Sequence, residues 1–419
     1  MHTEELLHFA WKKGLLSGKP LISVEGSSLE VLLPGEENKH AGPDFFNARL
    51  RVGRLTWAGN VEVHHAASDW NRHGHHLDPA YDNVILHVIQ HCDANIKNSK
   101  GRQILTLLVD PADPLLVQAA ELMKVEKWIP CGNKAGNVPD LVLKSWFRQL
   151  YKERLEFKIS HICRLQKRCG SDWNQSLWVA LAAGFGVPVN TLPFEMLACS
   201  IPFPLLVEIK NNLSDLEALL FGCSGLLFQP ETEDAYIQSL KQRYTLINKE
   251  FNIRQIPAHL WKFLRNRPAS FPTLRIAQFA SLLHTHFPLK EALLRKGSLL
   301  EIEGLLKVKA SPYWDTHYTF GKSSPSVEKR LGQLGIRQLL INVIVPYAGF
   351  LHQVHGSHGI PSPVMAMIGN IEAETNYIVR NWIKFGVHPG SAADSQAMIH
   401  LYTYYCLKKR CAACPFRRE

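Results

Sequence analysis

The opening residues have little of what a secretory leader needs: Met1-His2-Thr3-Glu4-Glu5 is acidic and runs straight into an amphipathic segment, where a leader has a basic start and an apolar stretch, so none is expected. The chain also lacks a clean membrane run. The most tempting stretch, Trp173 to Phe194, carries no charge but is interrupted by Asn174, Gln175, Pro188, Asn190 and Pro193, which suits buried helices joined by a turn. Together these absences predict a cytoplasmic protein with no membrane segment. No low-complexity linker and no repeat period is present. Disorder is excluded by 46% hydrophobic against 20% charged residues over 419 positions, a length that predicts two or three domains. With no leader expected, the nine cysteines do not read as a disulfide framework, so any cluster among them is a candidate for metal or redox chemistry.

What is present is unevenly distributed. Residues 1–120 hold 11 Lys and Arg against 14 Asp and Glu, whereas residues 121–419 hold 36 against 23. A basic region joined to an acidic, His-rich one fits a polyanion held by one part and processed by the other, with nucleic acid the obvious polyanion. A solvated basic face is the alternative. The fold class expected is α+β. Residues 1–112 alternate helix and short β-rich runs: a helix over Glu4–Lys13, runs at Leu21–Val24, Leu29–Leu33, Ala48–Val52 and Leu55–His65, then buried strands at Asp82–Ile89 and Gln103–Val109. Residues 113–404 recur at three and four and predict a basic, mainly α-helical domain. Residues 405–419 form a Cys-rich tail.

Gly42-Pro43-Asp44-Phe45 is followed by Glu62-Val63-His64 on an alternating run. A period of two places Glu62 and His64 on one strand face. If Asp44 starts the neighbouring strand, two carboxylates and an imidazole converge where Mg²⁺ or Mn²⁺ can sit. Pro43-Asp44 with Glu62-x-His64 resembles the PD-(D/E)XK phosphodiesterase superfamily in spacing and element order. The departure is His64, where that superfamily usually carries Lys. The resemblance implies an N-terminal mixed α/β nuclease-like core, Asp44 and Glu62 as metal ligands, and His64 as base or orienter of the attacking water.

Six histidines fall between His64 and His87, three of them in His73-Gly74-His75-His76. They are candidate phosphate contacts (His73, His75, His76) or zinc ligands, although the spacing matches no H-E-x-x-H motif. The alternative is a short helix capped by Asp69 with the imidazoles satisfying local backbone. The longer string Ala41–Phe45, Trp57–His64, Ser68-Asp69-Trp70, His73–His75 and Tyr81–Val88, with Arg265-x-Arg267-Pro268-x-x-Phe271-Pro272, resembles a bacterial family known only as a domain of unknown function. The proline-punctuated loop from Arg265 through Arg267 to Arg275 is a candidate phosphate-binding segment.

The tail has Cys406, Cys411 and Cys414 at C-x4-C-x2-C, one thiol short of a closed Fe–S or Zn site. Cys131, in Trp128-Ile129-Pro130-Cys131-Gly132-Asn133, is the candidate fourth ligand. The arrangement resembles iron-staple nucleases and, in its C-x-x-C-Pro ending, the cluster loop of helix-hairpin-helix DNA glycosylases. Lys408, Lys409, Arg410, Arg417 and Arg418 crowd the same loop, and Cys92, Cys163, Cys169, Cys199 and Cys223 are expected in the core. The leading functional expectation is a metal-dependent phosphodiesterase, a nuclease acting on DNA or RNA. The alternatives are a non-catalytic nucleic-acid-binding protein with a degenerate nuclease fold and a zinc-dependent hydrolase using the His cluster.

Overall fold

A computed structural model describes residues 3–38, 42–125, 128–129, 131–132, 136–229, 234–264, 266–287, 298–354 and 362–417. The chain is α+β and divides into two compact units, Met1–Trp128 and Ile129–Glu419. The expected boundary at residue 112 falls before a helix that belongs to the first unit. Helix Pro114–Val125 packs on the opening helix and adds Leu116 and Ala119 to the first core. Its apolar face had to be covered by something, and the sequence pattern alone does not say by which unit.

In the first unit, α1 (Thr3–Lys12) buries Leu7, Ala10 and Trp11, spaced at three and four, with Glu4 and Glu5 at its positive end. The sheet contains β1 (Leu21–Ile22), β2 (Ser28–Leu33), β3 (Glu36–Glu37), β4 (Phe45–Val52), β5 (Leu55–Val63), β6 (Val84–Ile89) and β7 (Thr106–Leu108). Its order is β1-β2-β4-β5-β6-β7, with β3 on the side of β4. The first strands pair antiparallel, and β4 and β5 form the expected hairpin, turning at Gly53-Arg54 between Val52 and Leu55. The pairs β5/β6 and β6/β7 are parallel, with the short helix α2 (Asp69–Arg72) in the β5-to-β6 crossover.

Alternation explains the outer strands: Leu29 and Val31 of β2, and Ala48 and Leu50 of β4, point into the core while their neighbours face out. Strand β6 is covered on both faces, which its near-continuous apolar run anticipates. Gly59 lets β5 and β6 approach, because a Cβ there would lie 2.7 Å from the Asn83 carbonyl oxygen and would strike Ile85 as well.

The second unit is helical among the described residues apart from one small two-stranded sheet. Its longest helix, Asp140–Arg168, buries Phe147, Leu150, Tyr151, Leu155, Ile159, Ile162 and Leu165 along one stripe. The uncharged stretch from Trp173 becomes two helices, Trp173–Phe185 and Thr191–Ser200, separated by a turn. The helical run Gln333–Val354 has the length and apolarity of a membrane crossing, and 67% of its most apolar 18-residue window is buried inside the protein, as in the core helix of a globular fold.

Candidate metal centre

Strand pairing brings the two carboxylates together. Phe45 of β4 stands opposite Val61 of β5, so Asp44 and Glu62 each occupy the next place along the antiparallel pair. The Asp44 N–H donates to Glu62 Oε2 at 2.9 Å, and the Val63 N–H donates to Asp44 Oδ2 at 3.1 Å. Each carboxylate is thus pinned by the backbone beside the other. His64 follows on the face of Glu62, with Nε2 3.4 Å from Glu62 Oε1. The parallel neighbour β6 sets His87 opposite Glu62, and His87 Nε2 lies 2.9 Å from His64 Nδ1.

The crossover after β5 returns the remaining imidazoles. His75 Nε2 is 3.3 Å from Glu62 Oε1, and His73 Nδ1 is 3.2 Å from His64 Nε2. His75 stacks on Tyr81 at 3.8 Å between centroids and meets Trp70 edge-on at 5.3 Å, so two aromatic walls hold its ring. From α1, His8 reaches within 4.0 Å of Asp44 Oδ1.

Burial sets the protonation states. It pushes Glu62 up to about 8, against the Asp44 N–H that favours the anion. Asp44 is raised to about 7 by burial and then by Glu62, with His8 opposing. Burial depresses His64 to about 2 and His87 to about 3, aided by neighbouring imidazoles, and lowers His75 as well. The cluster therefore offers neutral imidazole lone pairs beside carboxyls that resist ionisation unless a cation joins them. One ring nitrogen from each of His64, His73 and His75 lies within 4.8 Å of the other two. Contacts of 3.2–3.4 Å match the edges of a coordination shell with bonds of about 2.0–2.2 Å. The donor set fits a divalent ion with affinity for both nitrogen and oxygen.

Several expected roles change. His75 is buried at 8% exposure against Glu62, so it is not a phosphate contact at a mouth, whereas His73 is exposed and His76 half-buried. His64, expected as base or orienter, is only 2% exposed, with Nδ1 on His87 and Nε2 on His73. Asp69 does not cap α2; its carboxylate accepts from the Ala66 N–H and pairs with Arg72. Arg275 turns inward, its guanidinium beside Gln278 and Ser270 and held down at about 10 by burial, so it is not an exposed phosphate contact. Arg267 is exposed, and Arg265 lies outside the described residues.

His8 escaped the sequence reading altogether, and His87 entered it only as one of six clustered histidines, with no partner assigned. The run Val84–Ile89 marked His87 as part of a central strand, and pairing it with Glu62 needed the parallel register. His8 comes from a helix distant in sequence and left no local signal. In the second unit, Lys144, Arg148 and Lys152 are exposed at intervals of four on helix Asp140–Arg168, a basic stripe that i, i+4 counting could have found.

The cysteines fall into two groups. Burial raises the thiols of Cys131, Cys406 (to about 12) and Cys414 (to about 11), and the charges of their fellow cysteines add to it: Cys411 on Cys131, then Cys131, Cys414 and Cys411 on Cys406, and Cys131 and Cys411 on Cys414. Of the other five only Cys223 is a core residue; Cys92 and Cys199 are exposed, and Cys163 and Cys169 half-buried.

No curated protein and no solved structure matches the chain. One family profile does, over residues 4–377, and the chain accordingly belongs to the family described as "Protein of unknown function (DUF2851)".

Proposed function

We propose that the chain is a divalent-metal-dependent phosphodiesterase that cleaves nucleic acid, with Asp44, Glu62, His64 and His75 holding the ion and His73 at its exposed side. The carrying observation is Glu62: Oε1 lies 3.3–3.4 Å from two imidazole nitrogens while Oε2 accepts the Asp44 N–H. The element order α1, β2, β4, β5, α2, β6 and the Pro43-Asp44/Glu62-x-His64 pattern support the PD-(D/E)XK resemblance. With nitrogen as well as oxygen donors, Mn²⁺ or Zn²⁺ suits the site better than Mg²⁺. A bound ion supplies Lewis acidity toward a phosphoryl oxygen and lowers the pKa of water.

The protein's own groups do the rest. The Asp44 N–H and Val63 N–H fix the two carboxylates. In the tautomer where His64 Nδ1–H donates to His87 Nε2, the His64 Nε2 lone pair faces the site, and that hydrogen bond fixes the ring's orientation. Residues 129–419 carry 34 Lys and Arg against 21 Asp and Glu, and this excess supplies affinity for a polyanion.

The test is cleavage of labelled single-stranded DNA, duplex DNA and RNA by the full chain with Mn²⁺, Zn²⁺ or Mg²⁺. Glu62→Gln and Asp44→Asn are expected to cut activity by more than about a hundredfold while retaining nucleic-acid binding. Metal-loaded protein that binds nucleic acid without cutting it would support the non-catalytic alternative instead. The imidazole triad favours one further reading, a zinc-dependent hydrolase of another bond class. Zinc-dependent hydrolysis of small ester or amide substrates with no action on phosphodiesters would identify it.

A further inference from the structure

We infer that Cys131, Cys406, Cys411 and Cys414 are the ligand set of an iron–sulfur cluster that ties the C-terminal tail to the first residues of the helical unit. One helix end organises both strands of this junction. Gly132, next to Cys131, lies under the ring of Phe385, where a Cβ would come 2.7 Å from Cζ. Phe385 caps helix Tyr377–Lys384, and Trp382 of that helix stacks on Phe416, centroids 5.6 Å apart, just beyond Cys414. Trp382 and Phe416 are at most 2% exposed, so the tail is docked by its aromatic anchor.

The third and fourth thiols return by a tight turn. Cys406 ends the helical turn Leu401–Cys406, whose Tyr405 ring meets Trp146 edge-on at 5.5 Å. Lys409 then takes a left-handed φ of 52°, with the Lys409 N–H on the Cys406 carbonyl at 3.1 Å and the Arg410 N–H on that of Tyr405 at 2.9 Å. This reversal brings Cys411 and Cys414 back beside Cys406 and Cys131, near enough for the charges to be felt among them.

Spacing decides between metals. A tetrahedral zinc thiolate site needs sulfurs about 3.8 Å apart, from Zn–S bonds of about 2.3 Å. Among the described residues, the only group with three ligand atoms mutually within 4.8 Å is His64, His73 and His75, so no three of these sulfurs are that close. A cubane cluster spreads its cysteine sulfurs to about 6 Å, wider than any zinc site, and four cysteines complete its shell. The cluster is a structural clamp, since the thiolates gain partners only when tail and junction are assembled.

The experiment is metal analysis of the full chain purified without oxygen. Expected are about four irons with matching acid-labile sulfide and broad absorption near about 400 nm, lost in Cys131→Ser and Cys411→Ser but kept in Cys92→Ser. Glu62→Gln should keep the iron, which separates this result from the fate of the phosphodiesterase reading. Stoichiometric zinc without sulfide overturns the cluster, and wild-type protein with neither metal overturns the site. Iron retained in Cys131→Ser overturns the four-cysteine ligand set. Should the serine variants fail to fold, dithionite-reduced wild type decides by its paramagnetic resonance: an all-thiolate cluster signal supports the proposal and silence overturns it.

Discussion

Glu62 is held in conflict with its surroundings: a carboxyl among aromatic rings and neutral imidazoles, raised to about 8. The consequence for stability has a definite sign. Between pH 4.5 and 6.5, two effects oppose each other, because carboxyls raised in the fold lose stability as pH rises while histidines depressed in the fold gain it. Above pH 6.5 the histidines are neutral in both states. Only the carboxyl effect remains, so the metal-free first unit should lose stability from pH 6.5 to 8. Glu62→Gln should flatten that decline and stabilise the metal-free protein at pH 8 by roughly 1–3 kcal/mol, while abolishing metal-induced stabilisation. Thermal melts of wild type and variant, with and without Mn²⁺ or Zn²⁺, measure both; a variant that melts in parallel with wild type across this window would refute the assignment.

At the scale of elements, the centre depends on one parallel and one antiparallel pairing of β5. The antiparallel partner β4 delivers Asp44, and the parallel partner β6 delivers His87. Gly59 governs the second. An added methyl there must displace the Asn83 carbonyl or the Ile85 side chain, and Gly59→Ala is expected to cost about 2–4 kcal/mol. Urea unfolding measures that loss. Because the shift moves the strand that carries Glu62, metal affinity should fall too, although no ligand has changed. A wild-type midpoint in this variant would mean that the sheet yields more readily than the contact implies.

For the whole molecule, charge is partitioned with the fold: residues 129–419 carry the positive excess and the first unit the carboxylate–imidazole cluster. If the excess binds nucleic acid, the exposed stripe of Lys144, Arg148 and Lys152 is a better contact than the inward Arg275. Reversing all three to Glu should weaken binding and reduce the slope of log affinity against log salt by about 2–3. Fluorescence anisotropy across a salt series reads this directly, and an unchanged slope would remove the stripe from the interface.

Much of this was legible in local pattern. Short β-rich runs located β4 and β5, a near-continuous apolar run located β6, recurrence at three and four marked the chain after residue 112 as mainly helical, and Pro43-Asp44 with Glu62-x-His64 marked the carboxylates. The strand face of Glu62 and His64 follows from backbone geometry alone, which is why their neighbourhood was predictable. Other features depend on what packs against what. The inward turn of Arg275, the burial of His75 between Tyr81 and Glu62, the recruitment of His8 and His87, and the place of helix Pro114–Val125 in the first core carry no signature within a few residues. A sequence window encodes periodicity and turn chemistry, which are short-range. Register between strands, and the choice of which neighbour desolvates a titratable group, are settled by the burial of surfaces far apart in the chain, and here those choices gathered His8, His75 and His87 around a motif of two carboxylates and one imidazole.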